Sequence, residues 1–287
     1  MSTKIHFSIP IVAAVLFLSA CSGGEKQVTD QQKVVVDQEN GTVSDDQDFV
    51  LPQPISLASA FKNAGLSYAA GKTNPASNKD KYAKKIDQLL NLGVYSTDLA
   101  YCAINNKTQE AREYLSAIQS LGSKVGLESV FADKSLIEKF DKNLSNQSAL
   151  EDLIYEIQDK SDAYMQDNDL RYLAAVEFAG AWAEGMYLGI DDTRKKESTM
   201  STAIVDQMTL LRNTIKGLES HPTKDVRLKE VIALFQGVLN TYEGFLTVKN
   251  AAKNVNFKAP QLTAEEFDKL AVKIVSLRNG IVSPAQK

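Results

Sequence analysis

The sequence predicts an all-α protein: one domain of about ten antiparallel helices over residues 52–287, preceded by a short apolar leader and a polar tether. Three observations carry this expectation. Apolar residues recur at three- and four-residue spacing, as in Tyr82, Ile86, Leu89, Leu90 and again in Ala111, Tyr114, Leu115, Ile118, Leu121. That spacing turns one stripe of a helix toward a core. A hydroxyl stands three residues before a Glu at Ser135–Glu138, Ser148–Glu151 and Thr263–Glu266, the spacing of a capping box. Period-two alternation, the mark of a half-buried strand, is missing from the folded part, and no hairpin signal accompanies it.

The chain opens with MSTKIHFSIPIVAAVLFLSAC. Lys4 supplies a positive start and Ile9 to Leu18 an apolar core, too short for a bilayer that needs about 20 apolar residues, so 1–20 reads as a cleaved export signal. Leu18-Ser19-Ala20-Cys21 resembles the lipobox of bacterial lipoproteins. That resemblance implies a diacylglyceryl group on the Cys21 sulfur and a new N-terminus at Cys21. Ser22, rather than Asp, follows, a pattern that in Gram-negative lipoproteins implies sorting to the outer membrane. Acyl chains hold a membrane at about 0.8 kcal/mol per buried methylene, so the protein is expected to be anchored rather than spanning. Residues 21–51 are polar and nearly free of aromatics, and cannot bury enough apolar surface to offset their ordering entropy; they read as a flexible tether.

Beyond the tether the periodicity predicts helices at 55–64, 78–91, 95–104, 107–125, 134–142, 148–166, 168–189, 197–219, 223–248 and 263–280. Gly65, Gly93 and Gly126 are expected to stop helices, and Pro222-Thr223 to open one. Residues 251–261 are the one place where a smaller subdomain could begin, and a single domain is preferred.

Charge and composition exclude several functions. The chain carries a net charge of −4, and loss of the signal removes Lys4 and no acid. An acidic chain without basic runs is not expected to bind nucleic acid. Two histidines are present, and His6 leaves with the signal; His221 alone cannot build a multi-histidine zinc site. Cys102 lies in an apolar helix and reads as a small buried hydrophobe. AGLSYAAGKTNP suggests a phosphate loop, but five residues separate Gly65 from Gly71 where the motif needs four, and Pro75 blocks the following helix. Neither a nucleotide nor any other cofactor is expected.

Two stretches hold candidate site residues. In NLGVYSTDLAY, Asp98 stands among apolar neighbours: either a ligand-binding carboxylate, or a helix-start acid accepting N–H groups near Ser96 and Thr97. In FAGAWAEGMYLG, small residues surround most of the helix, so a neighbouring axis can approach closely while Phe178, Trp182 and Tyr187 fill the wider gaps. Glu177 and Glu184, seven apart, share a face. The structural reading makes Glu184 a buried acid bound to a Tyr hydroxyl, an Arg or a helix N-terminus, so that Glu184→Gln is mild. The functional reading makes it a ligand or a working acid.

PQPISLASAFKNAGLSY, NLGVYSTDLAYCAINN, QEAREYLSAIQSLGSKVGL and AGAWAEGMYLG, with the lipobox, together resemble a group of all-helical lipoproteins from Bacteroidetes bacteria. The likeness covers most of the folded chain and implies a lipid-anchored all-α protein, with no catalytic residue carried over. Imelysin-like lipoproteins are a distant comparison whose GxHxxE metal signature Gly180–Glu184 does not reproduce. The leading expectation is a non-enzymatic cell-envelope domain, lipid-anchored and facing the periplasm, that binds or scaffolds an envelope protein. The alternative is a small-molecule binder with a pocket lined by Tyr95, Tyr101, Trp182 and Tyr187.

Overall fold

In the computed structural model, residues 51–131, 134–143, 146–193, 199–222, 225–253 and 259–283 are described. The expected signal, the tether and Cys21 lie outside them, save Leu51. The described residues form eleven α-helices and one 3-10 turn, with no strand among them. The all-α expectation holds.

Pro at its first position starts α1 (Pro54–Asn63), and Gly65, at φ 100°, ends it. A strap, Leu66–Pro75, leads into the 3-10 turn Ala76–Lys81. Then come α2 (Lys85–Ile104), α3 (Thr108–Val125, ended by Gly126 at φ 97°), α4 (Glu128–Phe131), α5 (Lys134–Lys142) and α6 (Gln147–Asp167). The chain finishes with α7 (Arg171–Thr193), α8 (Thr199–Glu219), α9 (Val226–Gly244), α10 (Leu246–Ala252) and α11 (Ala264–Val282).

Several expected boundaries are corrected. Gly93 does not stop a helix: α2 runs straight through it. The reason is steric. A Cβ at Gly93 would lie 1.8 Å from the Glu177 carbonyl oxygen, and one at Gly180 would lie 1.8 Å from the Leu90 carbonyl oxygen. The two glycines let α2 and α7 touch backbone to backbone, the close approach that the small residues of α7 imply. The expected capping box Thr263–Glu266 forms: Thr263 Oγ1 accepts the Glu266 N–H, and Glu266 Oε2 accepts the Thr263 N–H. Asn146, not Ser148, caps α6, and Asp225 caps α9 by accepting the N–H groups of Arg227 and Leu228. The single helix expected over 223–248 breaks at Phe245, where α10 turns away by 72°.

α2 and α7 form the centre, buried around nearly their whole circumference, with α1, α3 and α6 against α2 and α8 and α11 against α7. α9 packs between α8 and α11 and runs antiparallel to both: Arg212 meets Glu243 while Glu219 meets Gln236, and the start of α9 meets the end of α11 through Arg227 and Gly280. All of these helices belong to one compact unit, Gln47–Lys287. Among the described residues no single helix is long and apolar enough to cross a membrane. The bent pair α9–α10 passes that test together by length and composition, yet Leu228, Val231, Phe235, Val238 and Tyr242 of α9 are buried in the core.

Candidate functional site

Asp98, Glu184, Tyr95, Tyr101 and Tyr187 meet in one buried polar cluster between the strap, α2, α7 and α11. Tyr95, Asp98 and Tyr101 stand three residues apart on α2, so they line one side of it under the strap. Each binds a different point of the strap backbone. Tyr101 Oη donates to the Ser67 carbonyl (2.9 Å) and accepts the Ala69 N–H (2.7 Å). Asp98 Oδ2 accepts the Asn74 N–H (3.1 Å). Tyr95 Oη donates to the Pro75 carbonyl (3.1 Å). The stretch that resembles a phosphate loop is thus an irregular segment whose main-chain polar groups are satisfied by helix side chains, as a buried loop requires. Tyr68 of the strap stacks on Tyr101 with ring centroids 5.5 Å apart, and Lys107 Nζ lies 4.6 Å over the Tyr68 ring.

Asp98 lies in the middle of α2, which corrects the expectation that it caps a helix near Ser96 and Thr97. Those two hydroxyls donate instead to carbonyls, Ser96 to Leu92 and Thr97 to Ala181 on α7. Asp98 is fully buried, and its Oδ1 receives no N–H or O–H from a neighbouring donor. The carboxyl group of Glu184, also fully buried, stands within hydrogen-bond reach of Asp98. Glu184 in turn binds Arg278 of α11 through two bonds, Nε to Oε2 at 2.8 Å and Nη2 to Oε1 at 3.1 Å. The Arg278 guanidinium lies 4.5 Å over the Tyr187 ring, which adds a cation–π contact.

Two carboxyls and one guanidinium in a dry site leave one negative charge without a partner unless a proton is held there. Burial drives both acids upward, and Asp98 the further of the two, because the charge of Glu184 adds to its desolvation. Arg278 opposes burial at Glu184 more directly, through paired hydrogen bonds. Of the two acids, Asp98 is therefore the one raised well above its ordinary value, while Arg278 holds Glu184 down. Burial alone would lower Arg278, but Glu184 and then Asp98 hold it above its ordinary value.

Around this core lie groups that sequence reasoning did not single out. Asn74 donates through Nδ2 to Tyr82 Oη (2.9 Å) and Asn91 Oδ1 (3.3 Å). Tyr82 and Asn91 donate onward to the carbonyls of Val282 and Ile281. A second buried ion pair joins Arg227 Nε to Asp87 Oδ1 at 2.7 Å, with Arg227 Nη2 on the Gly280 carbonyl at 2.6 Å. Arg278 leaves a trace in the sequence: it falls on the same stripe as Leu270, Ile274 and Ile281, a lone cation on an apolar helix face.

Trp182 and Glu177 stand apart from the cluster. Trp182 is fully buried, packs against Phe235 and donates its indole N–H to the Gln207 carbonyl. Glu177 shares a face with Glu184 but sits two turns away, half-buried beside α6. Burial, and next the charge of Asp162, push its carboxyl up to about 8. Cys102 is buried and unpaired with any sulfur, its thiol pushed up by burial and by Asp98. Among the described residues no group of three or more His, Cys, Asp or Glu side chains is placed to hold a metal ion. Comparison with protein-family models, with curated proteins and with solved structures finds no match.

Proposed function

We propose that the chain is a lipid-anchored cell-envelope protein whose helical domain binds or scaffolds a protein partner, held off the outer membrane by the tether 21–51. The observation that carries this reading is the order of parts along the chain. A lipobox-like Leu18-Ser19-Ala20-Cys21 is followed by a polar stretch, and then by a domain whose helices start at Pro54. The buried polar groups of that domain serve its own architecture: Asp98, Tyr95 and Tyr101 hold the strap, and Glu184 and Asp87 bind arginines. A small molecule lodged against Tyr95 and Tyr101 would have to displace those main-chain bonds, and Trp182 packs elsewhere against Phe235, so the partner-binding reading is preferred over a ligand pocket. The test is fatty-acid labelling and membrane fractionation of the full-length protein beside Cys21→Ser. The variant is expected to lose the label and leave the membrane while melting like wild type. Equal labelling and equal membrane retention would sink the reading. Capture of the lipidated protein from its native envelope, with Cys21→Ser as the control, then tests for a partner that depends on anchoring.

A further inference from the structure

We propose that the domain associates with a second copy of itself, the acidic outer face of α6 on one copy meeting the lysine-rich start of α2 on the next. Two oppositely charged surfaces carry the inference. On α6, Asp152, Tyr155, Asp159 and Asp162 follow one another at spacings of three and four, so one exposed face presents aspartates around a tyrosine. Lys139 and Lys160 both bind Glu156 and leave those aspartates alone. The second surface lies at the end of the bundle where Arg227 joins the start of α9 to α2 and Lys124 joins the end of α3 to the 3-10 turn. There the stretch 79–85 carries Lys79, Lys81, Lys84 and Lys85 against Asp80 alone. Asp80 is shared by Lys79 and Lys124, Asp225 caps α9, and Glu230 takes Arg227. Lys81, Lys84, Lys85 and Lys229 are exposed and bind no acid among the described residues.

Each surface also holds an apolar side chain among charges of one sign. Of the four large apolar side chains exposed among the described residues, Tyr155 stands on the acidic face, and Val226, 71% exposed, stands at the lysine end beside Arg227. The other two, Leu246 and Val272, are flanked by charges of both signs, Glu243 and Lys249 about the first, Asp268 and Lys273 about the second. An apolar centre with a charged rim is the anatomy of a docking surface, and here the two rims are of opposite sign. Tyr155 further offers its ring face to a lysine of the neighbour. No ion pair joins the two surfaces within one molecule among the described residues, so each meets its complement on another copy. Because the surfaces differ, the contact runs head to tail, and a copy engaged through α6 keeps its lysine end open for a further neighbour. The inference rests on the scaffold reading only for the membrane that concentrates the copies through the Cys21 lipid; the attraction itself needs no membrane.

The test is sedimentation velocity of the chain 22–287, which keeps the whole compact unit Gln47–Lys287 and lacks Cys21, so its outcome is independent of lipidation. At about 0.01 M salt, where charges act over about 30 Å, the sedimentation coefficient is expected to climb with protein concentration. At about 1 M salt, where that range is about 3 Å, it is expected to return to the monomer value. Lys81→Glu/Lys84→Glu/Lys85→Glu and Asp152→Lys/Asp159→Lys/Asp162→Lys should each lower the association constant at least about tenfold, because like charges then face each other. All six positions are exposed, and acids at the start of α2 suit the helix dipole, so both variants are expected to keep the wild-type circular dichroism spectrum. Mixing the two variants is the decisive measurement: each reversed surface finds its complement on the other protein, and association is expected to return. A wild-type chain that stays monomeric at low salt, variants that associate as wild type does, or a mixture that stays monomeric would each overturn the proposal. So would a monomeric chain that binds phosphatidylglycerol vesicles through these lysines, since it would assign the lysine end to a lipid surface.

Discussion

Replacing Gly93 by Ala is expected to destabilise the protein, although the same change in an ordinary helix stabilises it. Ala is favoured over Gly in a helix interior by about 1 kcal/mol. At Gly93 the new methyl would lie 1.8 Å from the Glu177 carbonyl oxygen and 2.8 Å from the Ala181 nitrogen, where ordinary contact starts at 3.4 Å. The obstacle is backbone, so it cannot rotate away. α7 must retreat from α2 by the difference, about 1.6 Å. That stretches the Thr97–Ala181 bond, now 3.2 Å, past useful range, at about 1 kcal/mol. Overpacking adds about 1–3 kcal/mol. The net loss is about 1–3 kcal/mol, or about 2–4 °C of melting temperature per kcal/mol at this size. Gly237→Ala on α9 is the control: no atom lies within 4 Å of its added methyl, so it is expected to gain up to about 1 kcal/mol. Urea and thermal unfolding followed by circular dichroism read both. Gly180→Ala presses the same crossing from the other side, against the Leu90 carbonyl. Once the helices have separated for one methyl the second costs little, so the double variant should fall short of the sum of the singles. A Gly93→Ala protein as stable as wild type, or simple additivity of the pair, would refute the backbone-contact account.

Glu184→Gln is expected to cost about 3–5 kcal/mol in urea unfolding, because it strands the buried Arg278 cation, whereas Glu184→Met with Arg278→Leu should recover most of the loss. Asp98→Asn, by contrast, should unfold within about 1 kcal/mol of wild type at neutral pH, since it mimics an acid that is already protonated. Asp87→Ala is expected to lower the melting temperature by less than Glu184→Gln does, since Arg227 keeps Glu230 at 3.3 Å and the Gly280 carbonyl. The folded value of Glu177, about 8, lies above the ordinary 4.5, so the native state keeps a proton that the unfolded chain releases. The Glu177 contribution to stability should therefore fall as pH rises from about 4.5 to about 8 and level off above it, and Glu177→Gln should make the urea midpoint less steep over that window.

The helical class was legible because it rests on periodicity, a local property repeated many times along the chain. Gly93 shows where local reasoning stops. A glycine between two apolar helical runs looks like a terminator, and only the partner helix reveals that it is a contact point. The site divides in the same way. Asp98, Glu184, Tyr95, Tyr101 and Tyr187 were visible as polar or aromatic groups in apolar surroundings, and the fold gathers them into one cluster. Their roles were not visible, because the partner of Glu184 lies 94 residues away on α11. The mildness expected of Glu184→Gln is revised for that reason: an amide satisfies a neutral donor, but not a buried guanidinium.

The far end of α11 carries a consequence for how the chain is made. Arg278 supplies the counter-charge to Glu184, and the carbonyls of Gly280, Ile281 and Val282 receive Arg227, Asn91 and Tyr82. These bonds span up to 200 residues, so the centre built by α2 and α7 lacks its cation and its acceptors until residues 278–282 have left the ribosome. Until then Glu184, Asp98 and Asn91 favour water over burial, and the nascent chain stays open. The final turn of α11 acts as the clasp, closing the fold only when residues 278–282 reach the centre.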